Sequence, residues 1–199
     1  MIFNSENRKV NSESDPEDII ILIDTSISMN SKDYKPNRLE AAKKAIMLFI
    51  RRALELNPYR RIGIIGFYMY AYPIVDLTRN INALEEAVKS IKVMGEATAP
   101  GEAVKEAIKM FKIQSTPAYK KRIIFVTDGT FNEGVPLSIM AEYARRCNVR
   151  IDICSFGRLS DYDREEMEKA VKLTGGKWEY ARKADEIMSS LLSLIVGSK

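Results

Sequence analysis

The stretch "IIILIDTSISMNS", Ile19 to Ser31, decides how the rest of the chain reads. Its first five residues are aliphatic, the short continuous run expected of a strand buried on both faces of a parallel sheet. Asp24, Ser26 and Ser28 then follow at spacing two. Alternate side chains can point the same way as the chain turns, which gathers one carboxylate and two hydroxyls in one spot. Taken alone, Asp24 and Ser26 also suit a helix cap or a turn.

Outward from this stretch, strand and helix patterns alternate. Pro36 is placed to open the next helix, and Leu39, Ala42, Ile46, Phe49 or Ile50, and Ala53 mark its buried face until Asn57-Pro58 ends it. "RIGIIGF" and "YAYPIVDLT" read as two strands, the second demoted to a sheet edge by Pro73. Their link is too short for a parallel crossover, so they form an antiparallel hairpin. A helix over "NINALEEAVKSI" is capped by Asn80 or Asn82, the loop "GEATAPG" follows, and "GEAVKEAIKMF" is a second consecutive helix. Then come strand "RIIFVTDG", helix "PLSIMAEYARRC", strand "VRIDICSFG", helix "DREEMEKAVKLTGG", short strand "KWEYA" and helix "ADEIMSSLLSLIV". The expected fold is α/β: a doubly wound, Rossmann-like, mostly parallel six-stranded sheet with one antiparallel edge strand and helices on both faces. Residues 1–17 read as a polar tail and 18–199 as one domain.

Composition narrows the chemistry. The 199 residues contain no histidine, which excludes Ser-His-Asp triads, Cys-His pairs and His-bearing zinc sites. Cys147 and Cys154 are the only cysteines and cannot build a zinc-thiolate site alone; they read as buried free thiols. Any metal must therefore be a hard cation on oxygen ligands. The net charge of +4 is interspersed along the chain and no run approaches the ~18 apolar residues of a membrane span, so neither nucleic acid nor membrane is an expected partner. The N-terminus lacks the apolar core of a signal peptide, and the expected location is cytoplasmic. Tyr68, Tyr70 and Tyr72 lie at spacing two on the edge hairpin, where they can cover the sheet edge or present a protein-contact patch.

In doubly wound sheets, ligands bind beyond the carboxyl ends of the strands where strand order reverses. Three loops lie there: "DTSIS", "GEATAPG" and "TDGT". Together they supply Asp24, Ser26, Ser28, Thr98 and Asp128, two carboxylates and three hydroxyls, a set that suits Mg²⁺ or Mn²⁺. Thr98 as a helix cap and Asp128-Gly129 as a plain turn are the alternatives for the single pieces. A haloacid-dehalogenase-like phosphatase also carries an aspartate after its first strand, followed by a second as acid/base; Ser26 stands where that second aspartate would be. A Rossmann nucleotide site would need glycines that "DTSISMN" lacks.

The whole pattern, Asp-x-Ser-x-Ser, then Thr98 in T-x-x-G, then "TDG", resembles the metal-ion-dependent adhesion site of von Willebrand factor A domains, over about residues 18–197. "DYKPNRLEAAKKAI", "NPYRRIGIIGF" and "LTGGKWEYA" resemble its intracellular branches in TFIIH and in the proteasomal ubiquitin receptor. The resemblance implies that Ser26, Ser28 and Thr98 ligate Mg²⁺ and that Asp24 and Asp128 act directly or through water. It further implies that a protein partner offers an Asp or Glu to the open coordination position. The expected function is that of an interaction module, an adaptor or scaffold subunit without catalysis; the alternatives are the Mg²⁺-dependent phosphatase and a purely structural subunit that does not use the metal. Its expected rim is Asn30, Lys32, Glu96, Thr130, Phe131 and Asn132, with Glu96 competing for the cation. Asp24 and Asp128 are expected to repel each other without a cation.

Overall fold

A computed structural model describes residues 15–196; most of the tail expected over residues 1–17 lies outside the described residues. Glu17 already belongs to the first strand. The six strands are β1 (Glu17–Asp24), β2 (Arg60–Phe67), β3 (Ala71–Thr78), β4 (Lys120–Thr127), β5 (Val149–Phe156) and β6 (Trp178–Ala181). They form one sheet in the order β3-β2-β1-β4-β5-β6. All neighbours are parallel except β2 and β3, the antiparallel hairpin that puts Pro73 on the edge.

The aliphatic run of β1 is continuous because both of its faces are covered. Ile19, Ile21 and Ile23 pack into one core, and Ile20 and Leu22 into the other. Period-two alternation thus survives as a choice between two apolar layers. The first layer comprises α1 (Arg38–Leu56), α2 (Ile81–Ser90) and α6 (Glu186–Ile195); the second comprises α3 (Pro100–Gln114), α4 (Leu137–Arg146) and α5 (Asp161–Thr174).

Helix ends follow their side chains. Asn80 caps α2 by accepting from the Ala83 N–H. Ser160 and Asp163 form a capping box on α5, and Gly175 closes that helix in the left-handed conformation. Pro36 does not open α1. Asn37 takes the N-cap and accepts from the Glu40 N–H, a bond no proline side chain can make, so the helix begins at Arg38.

The amino ends of the central strands carry a buried ionic network. Glu17 accepts from Arg60 Nε at 2.8 Å and from Arg122 Nε at 2.7 Å. Arg122 and Arg150 face each other in register, and fully buried Asp152 binds both. Burial alone would raise the Glu17 pKa; the charges of Arg122 and Arg60 overcome it and hold the carboxyl below its ordinary value. This network lies at the pole opposite the loops considered next.

Candidate metal centre

Strand order reverses between β1 and β4, whose chains depart through helices on opposite layers. Asp24 is the last residue of β1, and Asp128 follows the last residue of β4. Both are completely buried.

Three loops are laced together at this point. Thr25 is fixed to Phe67, its N–H and hydroxyl donating to that carbonyl at 2.7 and 2.9 Å. The Met94 N–H donates to Thr25 O and the Ile27 N–H to Gly95 O, which clamps the residues around Ser26 against the 94–95 segment. The Tyr68 ring lies where a Gly95 Cβ would be, 2.5 Å from the nearest ring carbon, so this clamp closes only over glycine. A 3₁₀ turn over Ile27–Asn30 then brings Ser28 Oγ to 2.9 Å from Ser26 Oγ. The third loop is tied to the second through Thr98, whose N–H donates to Asn132 Oδ1 at 2.8 Å.

Each carboxylate is held by named donors. Asp24 Oδ1 accepts from the Ser26 N–H at 2.9 Å, and Oδ2 from the Thr127 hydroxyl at 2.7 Å. Asp128 Oδ1 accepts from the Thr130 hydroxyl at 3.1 Å. Burial first, and the Asp128 charge second, push the Asp24 carboxyl up to about 7. The Asp128 charge thus acts on Asp24 in the direction expected from the sequence.

It is also partly offset, by a residue that sequence reasoning missed. Arg38, at the start of α1, donates from Nη1 to Asp128 Oδ2 at 2.7 Å. The same guanidinium grips Asp33 through Nε at 2.9 Å and Nη2 at 2.6 Å. It passes over Gly157, where a Cβ would lie 2.8 Å from Arg38 Cζ and where φ is +75°. A cation in the first turn opposes the helix dipole, and that local conflict was the available signal.

The five sequence-predicted residues thus occupy one loop cluster. Asp24, Ser26 and Ser28 share direct contacts or one connecting loop, Asp128 couples to Asp24 through charge, and Thr98 is pinned to the Asp128 loop. Among the described residues there is no group of three or more His, Cys, Asp and Glu side chains arranged for a metal. Two carboxylates with adjacent hydroxyls nevertheless make an all-oxygen donor set with an unmet need for positive charge. That chemistry fits a hard divalent cation.

The predicted rim divides. Asn30, Lys32, Glu96 and Thr130 are exposed. Phe131 is half-buried, packed against the second core, with its N–H held by Asp163 Oδ1 at 3.0 Å. Asn132, although exposed, spends its side-chain carbonyl on Thr98. The structure adds Ile27, Met69, Tyr70 and Met94, exposed apolar side chains on the laced loops and the hairpin tip. Tyr68 joins Tyr70 and Tyr72, at ring-centroid distances of 5.7 and 6.3 Å.

Comparison with known proteins agrees with this architecture. The family model of the von Willebrand factor type A domain matches residues 19–130. A UPF0353 protein of Mycolicibacterium paratuberculosis is 28% identical over 198 residues, covering 86% of this chain and 58% of that protein. The chain thus spans less than two thirds of the length of that relative. The SpRpn10 VWA domain superimposes with a TM-score of 0.76 at 22% identity, covering 89% of this chain and 94% of that one. Proximal thread matrix protein 1 from the mussel byssus, solved with a zinc-occupied MIDAS motif, gives a TM-score of 0.75 at 16% identity, covering 92% of this chain and 48% of that one. At such identities these two likenesses concern the fold.

Proposed function

Because this chain belongs to the von Willebrand factor type A domain family, we infer that it is an interaction module whose divalent-cation site captures an acidic residue of a protein partner. The observation that carries the reading is the buried pair Asp24 and Asp128 beside the Ser26–Ser28 hydroxyl contact, at the strand-order reversal of the sheet. Ser26, Ser28 and Thr98 would hold Mg²⁺ or Mn²⁺ by their hydroxyls, with Asp24 and Asp128 acting directly or through water. When bound, the cation supplies an electrophilic position that a carboxylate can fill.

The chain's own residues do the rest. Thr127 and the Ser26 N–H orient Asp24, Arg38 and Thr130 orient Asp128, and the Tyr68–Gly95 clamp keeps the two serines in place. Ile27, Met69, Tyr70 and Met94 offer apolar contact to whatever flanks the partner's acid, while exposed Glu96 disfavours a second acid there. The partner is read as a subunit of a larger assembly, for which this domain is an adaptor or scaffold. Cys147 and Cys154 are free thiols, which suits a reducing, intracellular setting.

Catalysis forms no part of this reading. Ser26 occupies the position where a haloacid-dehalogenase-like phosphatase places its acid/base, and its hydroxyl cannot take that role at neutral pH. Aryl phosphates with Mg²⁺ are expected to show no turnover.

An array of Asp- and Glu-containing peptides, each with its Asn or Gln twin, tests the proposal. Acidic members should bind in Mg²⁺, their amide twins should not, and binding should vanish with chelator and in Ser26→Ala. Glu96→Gly should tighten binding. Binding indifferent to chelator would remove the interface from this face, and phosphatase activity abolished by Asp24→Asn would replace the module with an enzyme.

A further inference from the structure

Arg38 is the feature of this site that the function proposed above does not require. A metal centre built from Asp24, Asp128 and hydroxyls would hold a dication more tightly without a guanidinium beside it. Yet Arg38 is placed with care. Its side chain is only 12% exposed, it bonds a fully buried Asp128, and its path needs the absence of a Cβ at Gly157. Asp33, 45% exposed, steadies it from the solvent side through two bonds.

The charge balance shows what such a residue does. Asp33, 45% exposed, carries a negative charge that solvent largely screens from the centre. Within the centre itself, Asp24, Asp128 and Arg38 together carry one negative charge when all are ionised. A dication converts that to one positive charge, and a carboxylate from outside brings the centre to neutrality. With Arg38 removed, the dication alone would already neutralise the two aspartates. Charges inside a low-dielectric site interact far more strongly than in water, so this imbalance has energetic weight.

We propose that Arg38 couples cation and acid binding: it keeps affinity for the cation alone low and makes the partner's carboxylate necessary for tight retention of both. By thermodynamic reciprocity, the acid then tightens the cation by the factor with which the cation tightens the acid. The domain would rest with Arg38 on Asp128 and fill its site when cation and acid are offered together. The proposal rests on the metal reading and extends it by naming the residue that sets its affinity.

The test is a calorimetric titration of Mn²⁺ into wild type, Arg38→Met and Asp33→Asn, each in sodium acetate and in sodium chloride of equal ionic strength. Arg38→Met should bind Mn²⁺ about tenfold tighter than wild type in chloride, a difference of about 1.4 kcal/mol. Acetate should strengthen Mn²⁺ binding in wild type and do so less in Arg38→Met. Asp33→Asn leaves the guanidinium charge less compensated and should weaken Mn²⁺ binding several-fold. Should Arg38→Met not fold, the wild-type acetate effect and the loss in Asp33→Asn decide the matter. Equal Mn²⁺ affinity in wild type and both variants would overturn the role of Arg38 while leaving the metal site standing. Absence of saturable Mn²⁺ binding in all three would overturn both.

Discussion

Replacing Arg122 by Met should cost about 3–5 kcal/mol of stability at neutral pH, the range for breaking a buried ion pair by removing one partner. Arg122 stands between Glu17 and Asp152, two carboxylates that are almost wholly buried. Met fills much of the same volume, so the loss measures the two charges left short of a partner rather than a cavity. Arg60 and Arg150 remain, which keeps the cost below that of two fully orphaned carboxylates. For a chain of this size the drop corresponds to roughly 10 °C in melting temperature. The pH dependence follows from the lowered Glu17 pKa. A depressed folded pKa contributes stability that is present above the ordinary value of 4.5 and is lost as pH falls through the folded value. The gap between wild type and Arg122→Met should therefore narrow on acidification below about 4.5. Urea unfolding at pH 7 and pH 4 measures both terms. A loss under ~1 kcal/mol at pH 7 would mean that water or the remaining arginines satisfy the network.

Asp24→Asn should act in the opposite direction. The Asp24 carboxyl is raised from 3.8 to about 7, so between those values the folded state binds more protons than the unfolded state. Wild-type stability should fall as pH rises across that window. Asparagine does not titrate, and its amide can meet the Ser26 N–H through oxygen and Thr127 Oγ1 through nitrogen. In chelator, Asp24→Asn should exceed wild type by about 2–4 kcal/mol at pH 8, with little difference near pH 4. Added Mg²⁺ should stabilise wild type by mass action and leave the variant unmoved, which reduces or reverses the order. Thermal melts over pH 4–8, with and without Mg²⁺, check the crossing. A variant less stable than wild type throughout in chelator would show that the bonds to Ser26 and Thr127 outweigh the buried charge.

Much of this architecture was legible in the residues. The aliphatic run of β1, Pro73 on an antiparallel edge and the strand-helix alternation led to the sheet that is found. The three loops could be named because a doubly wound sheet places strand-end loops at one pole. The helix that follows β1 must begin at that same pole, so Arg38 belonged there too. It was hidden because a first-turn arginine reads as an ordinary member of the amphipathic pattern unless its conflict with the helix dipole is noticed. Phe131 could not be distinguished from a rim residue, since its burial depends on the second core beneath it and on Asp163 of α5, which holds its N–H. The Glu17 network was equally hidden. Its partners lie 43 and 105 residues away in sequence, and in isolation each looks like a solvated strand-flank charge. Pairings between distant charges are set by register, which periodicity alone does not deliver.

The most direct measurement is a calorimetric titration of Mg²⁺, repeated with Mn²⁺, into wild type and Asp24→Ala. Saturable one-site binding to wild type that is absent in Asp24→Ala is the predicted result. Equal binding by both proteins would contradict the assignment of the metal to Asp24 and its neighbours.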